Sequence, residues 1–178
     1  MIKFLGLLIA LSFLNTTPTI ANNSENYLLT LNTPIDSTRT AELDRYWSAL
    51  AKTVKEGDFD GYRALYHDDA VVIFAGGTNK TSISISQAMA NWKSIFDDTK
   101  EGKINVDVDF RLSQRIGNEN TAHETGIFVF SNLDSNGKVE SQSYVHFEML
   151  FVKTDQGWLA LMEYQKSSAT LDEWDALK

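Results

Sequence analysis

The sequence predicts one α+β domain, an antiparallel sheet packed on about three N-terminal helices. Three observations carry this expectation. Apolar residues recur at helical spacing in the first half of the chain and alternate at strand spacing in the second half. The links between those strands are too short to hold a crossover. A chain of 178 residues, with the apolar and charged fractions of ordinary globular proteins, suits one domain with a substantial core.

The chain opens with one lysine, Lys3, and an apolar run from Phe4 to Leu14. That run is shorter than the roughly 20 residues a spanning helix needs, and it reads as a signal peptide. Thr19 and Ala21 are small residues at the positions a signal peptidase accepts, which predicts cleavage before Asn22 and a periplasmic or secreted protein. An uncleaved anchor is the alternative, although Asn15, Thr16 and Thr17 end the apolar run early. After cleavage no membrane association is expected. Residues 22–36 are polar and without sustained period, a flexible lead-in, and the domain is placed at residues 37–178.

Leu43, Tyr46, Trp47, Leu50 and Val54 form one stripe at three- and four-residue spacing, a long helix closed by Gly57. Asp58 caps a second, shorter helix carrying Phe59, Tyr62, Leu65 and Tyr66 on one face. A buried strand follows over residues 70–74. Gly76-Gly77 turns the chain into a short return strand near Thr81, and Met89, Trp92, Ile95 and Phe96 mark a third helix. Beyond Gly102, Ile104, Val106, Val108, Phe110 and Leu112 alternate with Asn105, Asp107, Asp109 and Arg111, a strand with one buried face. Further strands are expected over residues 121–130, 141–153 and 158–166. Thr170-Leu-Asp-Glu173 has the form of a capping box, opening a short terminal helix with Trp174 and Leu177.

Composition excludes several functions. With no cysteine there is no disulfide framework, lipid-bearing cysteine or thiol chemistry. The formal charge of −8, without a basic cluster, argues against nucleic acid as a partner. The chain carries no nucleotide-binding glycine loop, nucleophile elbow or metal-ligand spacing, so no cofactor and no metal are expected.

His67, Asp68 and Asp69 invite a metal or acid-base reading, but short acidic residues also favour turns, and structural capping is the preferred reading. His146 and Glu148 share a strand face with Tyr144, which can set an imidazole against a carboxylate. Val145, Phe147, Met149 and Phe151 should face the core. That turns Tyr144, His146 and Glu148 to the opposite side, where a surface or homodimer interface is the preferred reading. His123 and Glu124 are adjacent on a strand and diverge, leaving one of them able to line a cavity.

Gly57-Asp58-Phe59 with Leu65-Tyr66-His67-Asp68-Asp69-Ala70-Val71, the helix of Trp92, and Gly157-Trp158-Leu-Ala-Leu with Ser167-Ser168 together resemble the nuclear transport factor 2-like superfamily, with its SnoaL-like and ketosteroid isomerase-like members. The resemblance runs over residues 38–168. It implies a cone-shaped curved antiparallel sheet packed on the helices, with an opening between them that takes a small apolar or amphipathic molecule. Trp47, Tyr62, Trp92, Phe110, Phe128 and Met149 are then candidates to line the pocket, ordinary core packing being the other reading. Related closing strands often carry histidines after the Gly-Trp pair, whereas Met162-Glu163-Tyr164-Gln165-Lys166 stands here. Ketosteroid isomerase-like relatives place a carboxylate base and an oxyanion donor inside the cone. On that likeness Glu163, with Tyr164 or Tyr62, is the candidate catalytic set for isomerase- or cyclase-type chemistry. A non-catalytic homodimeric interaction module, its cone filled by its own aromatics, is the competing expectation.

Overall fold

The computed structural model describes residues 34–78 and 80–177, with side chains described from Ser37. The expected signal segment and all of the lead-in before Pro34 lie outside the described residues. Helix α1 spans Pro34–Glu56, starting inside the expected lead-in, with proline in the first turn where its missing N–H costs nothing. Gly57 ends it at φ 64°, a left-handed conformation that favours glycine. A Cβ there would also lie 2.5 Å from the Lys100 backbone nitrogen, so this glycine lets the end of α1 touch the end of the third helix.

Helix α2 spans Phe59–Ala64, and the Asp58 side chain accepts from the Gly61 N–H as its cap. Strand β1 spans Tyr66–Phe74 and β2 spans Thr81–Ser84. Ser84 and Gln87 then form a reciprocal capping box at the start of α3, Ile85–Lys100. Four long strands follow: β3 Asn105–Gly117, β4 Thr121–Leu133, β5 Val139–Thr154 and β6 Gly157–Ser168. Helix α4, Leu171–Ala176, opens with the expected Thr170–Glu173 capping box.

The six strands form one sheet in the order β2-β1-β6-β5-β4-β3. The run β3 to β6 is antiparallel, as its short links require. The sheet as a whole is mixed, because β1 lies parallel to β6. That pairing joins segments separated by most of the domain, where no short link constrains direction.

Helices α1 to α3 cover one face of the sheet. The α1 stripe of Leu43, Tyr46, Trp47, Leu50 and Val54 is buried against Phe147, Met149 and Phe151 of β5. The opposite face carries a smaller cluster of Ile127, Val129 and Trp174, which α4 lays across the sheet. The Arg111 guanidinium stacks on Trp174, 4.2 Å from the ring centroid, and donates to the Trp174 carbonyl.

Two of the sheet's bulges turn particular side chains to the helix-covered face. In β3, Leu112 pairs with Gly126 and Gln114 with Thr125, leaving Ser113 as an extra residue. In β6, Ala160 pairs with Phe151 and Met162 with Leu150, leaving Leu161 extra. Gly126 stands beside the first bulge, and a Cβ there would fall 2.1 Å from the Arg111 carbonyl oxygen. The strand approaches its neighbour this closely only because that side chain is missing.

Candidate functional site

Between the helices and the sheet lies a cavity of about 320 Å³. Its walls come from the three helices on one side and the sheet on the other. Trp47 is supplied by α1, Tyr62 by α2, Trp92 by α3, Phe110 by β3, Phe128 by β4 and Met149 by β5. The six residues singled out from the sequence thus share one enclosure, and their aromatic rings meet edge to face or tilted. Ile95, exposed, and Thr99 on α3 stand at its opening.

The polar end of the cavity is a short chain of hydrogen bonds. Tyr62 and Tyr66 hydroxyls lie 3.0 Å apart, the Tyr66 hydroxyl donates to Glu163 Oε2 at 2.6 Å, and Gln165 Nε2 donates to Glu163 Oε1 at 2.7 Å. Glu163 is 8% exposed and reaches the cavity because of the Leu161 bulge. Without it, alternation from Trp158 and Ala160 would turn Glu163 outward and Tyr164 inward. Instead Tyr164 lies on the outer face, paired in register with Glu148, and does not share the cavity with Glu163. The partners of Glu163 are Tyr66 and Gln165, and Tyr62 stands one hydroxyl further away. Tyr66 carries the spacing of the helix face that holds Tyr62. Gln165 carries no such mark, because nothing in the sequence signals the bulge that turns it inward.

Burial raises the Glu163 carboxyl above the ordinary carboxylate range, against the opposing hydrogen bonds from Tyr66 and Gln165. Burial, and then the charge of Glu163, also push the Tyr62 and Tyr66 hydroxyls up. A carboxyl shifted this way is placed for proton exchange nearer neutral pH. The sign of its effect on stability follows by linkage. An acid with a raised folded pKa binds more protons folded than unfolded, so stability is highest below the unfolded value and is lost as pH rises through the folded one. Glu163→Gln is therefore expected to melt at higher temperature than the parent at pH 7 to 8, with the gap closing near pH 4. Differential scanning calorimetry across that range checks it. A gap that widens on acidification would refute the assignment.

The second buried glutamate has a different environment. Glu124 is 0% exposed and accepts from Trp47 Nε1 at 2.6 Å and from Arg115 Nε at 2.7 Å. Arg115 also binds Asp44 Oδ1 and the Thr40 carbonyl, tying β3 and β4 to α1. The Ser113 bulge turns Arg115 to this face. His123, adjacent to Glu124, points the other way, to Glu148.

On that outer face His123 Nε2 lies 3.1 Å from Glu148 Oε2, Lys166 Nζ donates to Glu148 Oε1, and His146 Nε2 lies 3.3 Å from Glu173 Oε1 of α4. His146 and Glu148 are therefore engaged with separate partners and do not form the pair that their spacing allowed. The Lys166 hydrogen bond holds the Glu148 carboxyl below its usual range. Tyr144 packs on Trp174. His67 Nδ1 accepts from the Asp69 N–H, and Asp68 pairs with Arg63, local contacts at the start of β1.

A curved mixed sheet enclosing an apolar cavity against three helices defines the nuclear transport factor 2-like fold. Many solved structures share it. An NTF-2-like protein of unknown function from Shewanella oneidensis is 14% identical, with TM-score 0.56 over 72% of this chain and 98% of that one. A ketosteroid isomerase-like protein from Erwinia carotovora is 15% identical, with TM-score 0.52 over 73% and 95%. The association domain of C. elegans CaMKII is 16% identical, with TM-score 0.53 over 73% and 96%. Identities this low show the fold alone. Within that fold the chain belongs to the SnoaL-like domain family, whose pattern it matches over residues 44–171. Among proteins of curated function none matches it.

Proposed function

We propose that this protein is an exported small-molecule-binding domain that holds an apolar or amphipathic ligand in its cone and presents Glu163 to it as an acid-base group. One observation carries the reading: the cavity of about 320 Å³ is walled by aromatics and, among the described residues, Glu163 is the one carboxylate that lines it, itself buried. A cone filled by its own side chains, as a purely structural module would have, leaves no such space. Isomerase- or cyclase-type proton transfer fits a carboxyl whose pKa is raised and whose hydrogen bonds fix its orientation.

Native mass spectrometry of the protein purified from its own cell envelope tests the reading. The expected result is a discrete small molecule retained under gentle conditions and lost on unfolding, on a chain beginning at Asn22. A protein that is always empty would sink the ligand reading, and a retained Met1 would sink cleavage before Asn22. Homodimerisation through the outer sheet face around Tyr144, His146 and Glu148, together with Glu173 and Trp174 of α4 that lie on it, accompanies the proposal, supported by the likeness to an association domain. Light scattering that gives a monomer mass at micromolar concentration would remove it.

A further inference from the structure

We infer that the ligand of the cone carries a positive charge: a small hydrophobic amine or quaternary ammonium whose apolar body fills the aromatic cavity and whose cationic head lies against Glu163. The inference rests on the cone being a ligand site and adds the ligand's charge to that reading.

The two buried glutamates make the argument by contrast. Glu124 has a resident cation, the Arg115 guanidinium, at 2.7 Å. Among the described residues Glu163 has none, since no lysine, arginine or histidine of theirs lines the cavity. The titratable groups facing it are Tyr46 from α1, Tyr62 from α2 and Tyr66 from β1, all phenols, while α3 and β5 present Trp92, Phe147 and Met149. An isolated buried carboxylate is costly, and a cationic ligand supplies the compensation that the fold gives Glu124 and withholds here.

The hydrogen-bond polarity of the wall agrees. Tyr66 spends its one proton on Glu163, so the bond between the tyrosines must be donated by Tyr62. Thr99 donates to the Ile95 carbonyl and Trp47 Nε1 to Glu124. The lone pairs of Tyr62, Thr99, Glu163 and the Gln165 amide oxygen remain, against one leftover donor, the second N–H of Gln165, so acceptors predominate. The rings of Trp47, Tyr62, Trp92, Phe110 and Phe128 add faces of negative potential, which attract an alkylammonium once it is desolvated. A formal charge of −8 for the whole chain favours the approach of cations over anions.

Benzyltrimethylammonium and its neutral isostere neopentylbenzene, titrated against the full mature protein, test the inference through tryptophan fluorescence, since Trp47 and Trp92 line the cavity. At pH 8 the cation is expected to bind about tenfold tighter or more. Its affinity should fall as Glu163 is protonated on acidification, while that of the isostere stays level. Glu163→Gln should lose the preference while keeping a cooperative thermal transition in calorimetry, which shows that the variant is folded. Equal affinities in the parent, or a preference that survives in Glu163→Gln, would overturn the cationic ligand and leave the apolar cavity standing. Binding of neither probe would overturn both readings.

Discussion

Replacing Arg115 with methionine is expected to lower stability by about 3 kcal/mol, because it strips the cation from a carboxylate that no water reaches. Glu124 is fully buried and Arg115 is its only charged partner among the described residues, with Trp47 Nε1 its remaining donor. The same guanidinium holds Asp44 and the Thr40 carbonyl, so the ends of β3 and β4 would also loosen from α1. Urea unfolding of Arg115→Met measures the loss. Adding Glu124→Gln should return part of it, since the uncompensated charge is then gone. If the double variant proves no more stable than Arg115→Met alone, the charge pairing is not what holds this corner.

Phe151→Ala should cost as much or more, about 3–5 kcal/mol, by the same assay. Phe151 is 0% exposed and meets both Tyr46 and Trp47 edge to face, with ring centroids 4.9 and 5.6 Å away. It is the point on β5 against which the middle of α1 rests, and these neighbours are too large and too constrained to close over the void. A loss below about 1 kcal/mol would mean that the helix settles onto the sheet, and that the packing here is looser than the burial implies.

The fold was legible where residues obey one period. The α1 stripe is buried along its length, the caps at Asp58 and Thr170 make the expected bonds, and β3 alternates from Val106 to Leu112 as its sequence indicates. The candidate site was less legible because it sits where the period breaks. Neither Ser113 nor Leu161 is a glycine or a proline, so nothing local announces that the strand gains a residue there. Those two insertions aim Arg115 at Glu124 and turn Glu163 and Gln165 into the cone. Simple alternation selects Tyr164 instead of Gln165. The early start of β1 is a related case: Tyr66 looks like the last residue of a helical face, and it is tertiary pairing with Ala160 that makes it a strand residue.

The parallel contact between β1 and β6 has a consequence in time. Val72 pairs with Glu163, so the strand made early waits for the last strand of the sheet to emerge before that edge is satisfied. The meander from β3 to β6 is built from neighbours in sequence and can zip up by short loop closures. Docking β1 requires a long-range closure, the kind of step that slows folding and leaves a bare strand edge open to wrong partners meanwhile. Because the same step brings Tyr66 to Glu163, the polar end of the cone cannot form before β6 has docked, and any truncation that removes β6 takes the site with it.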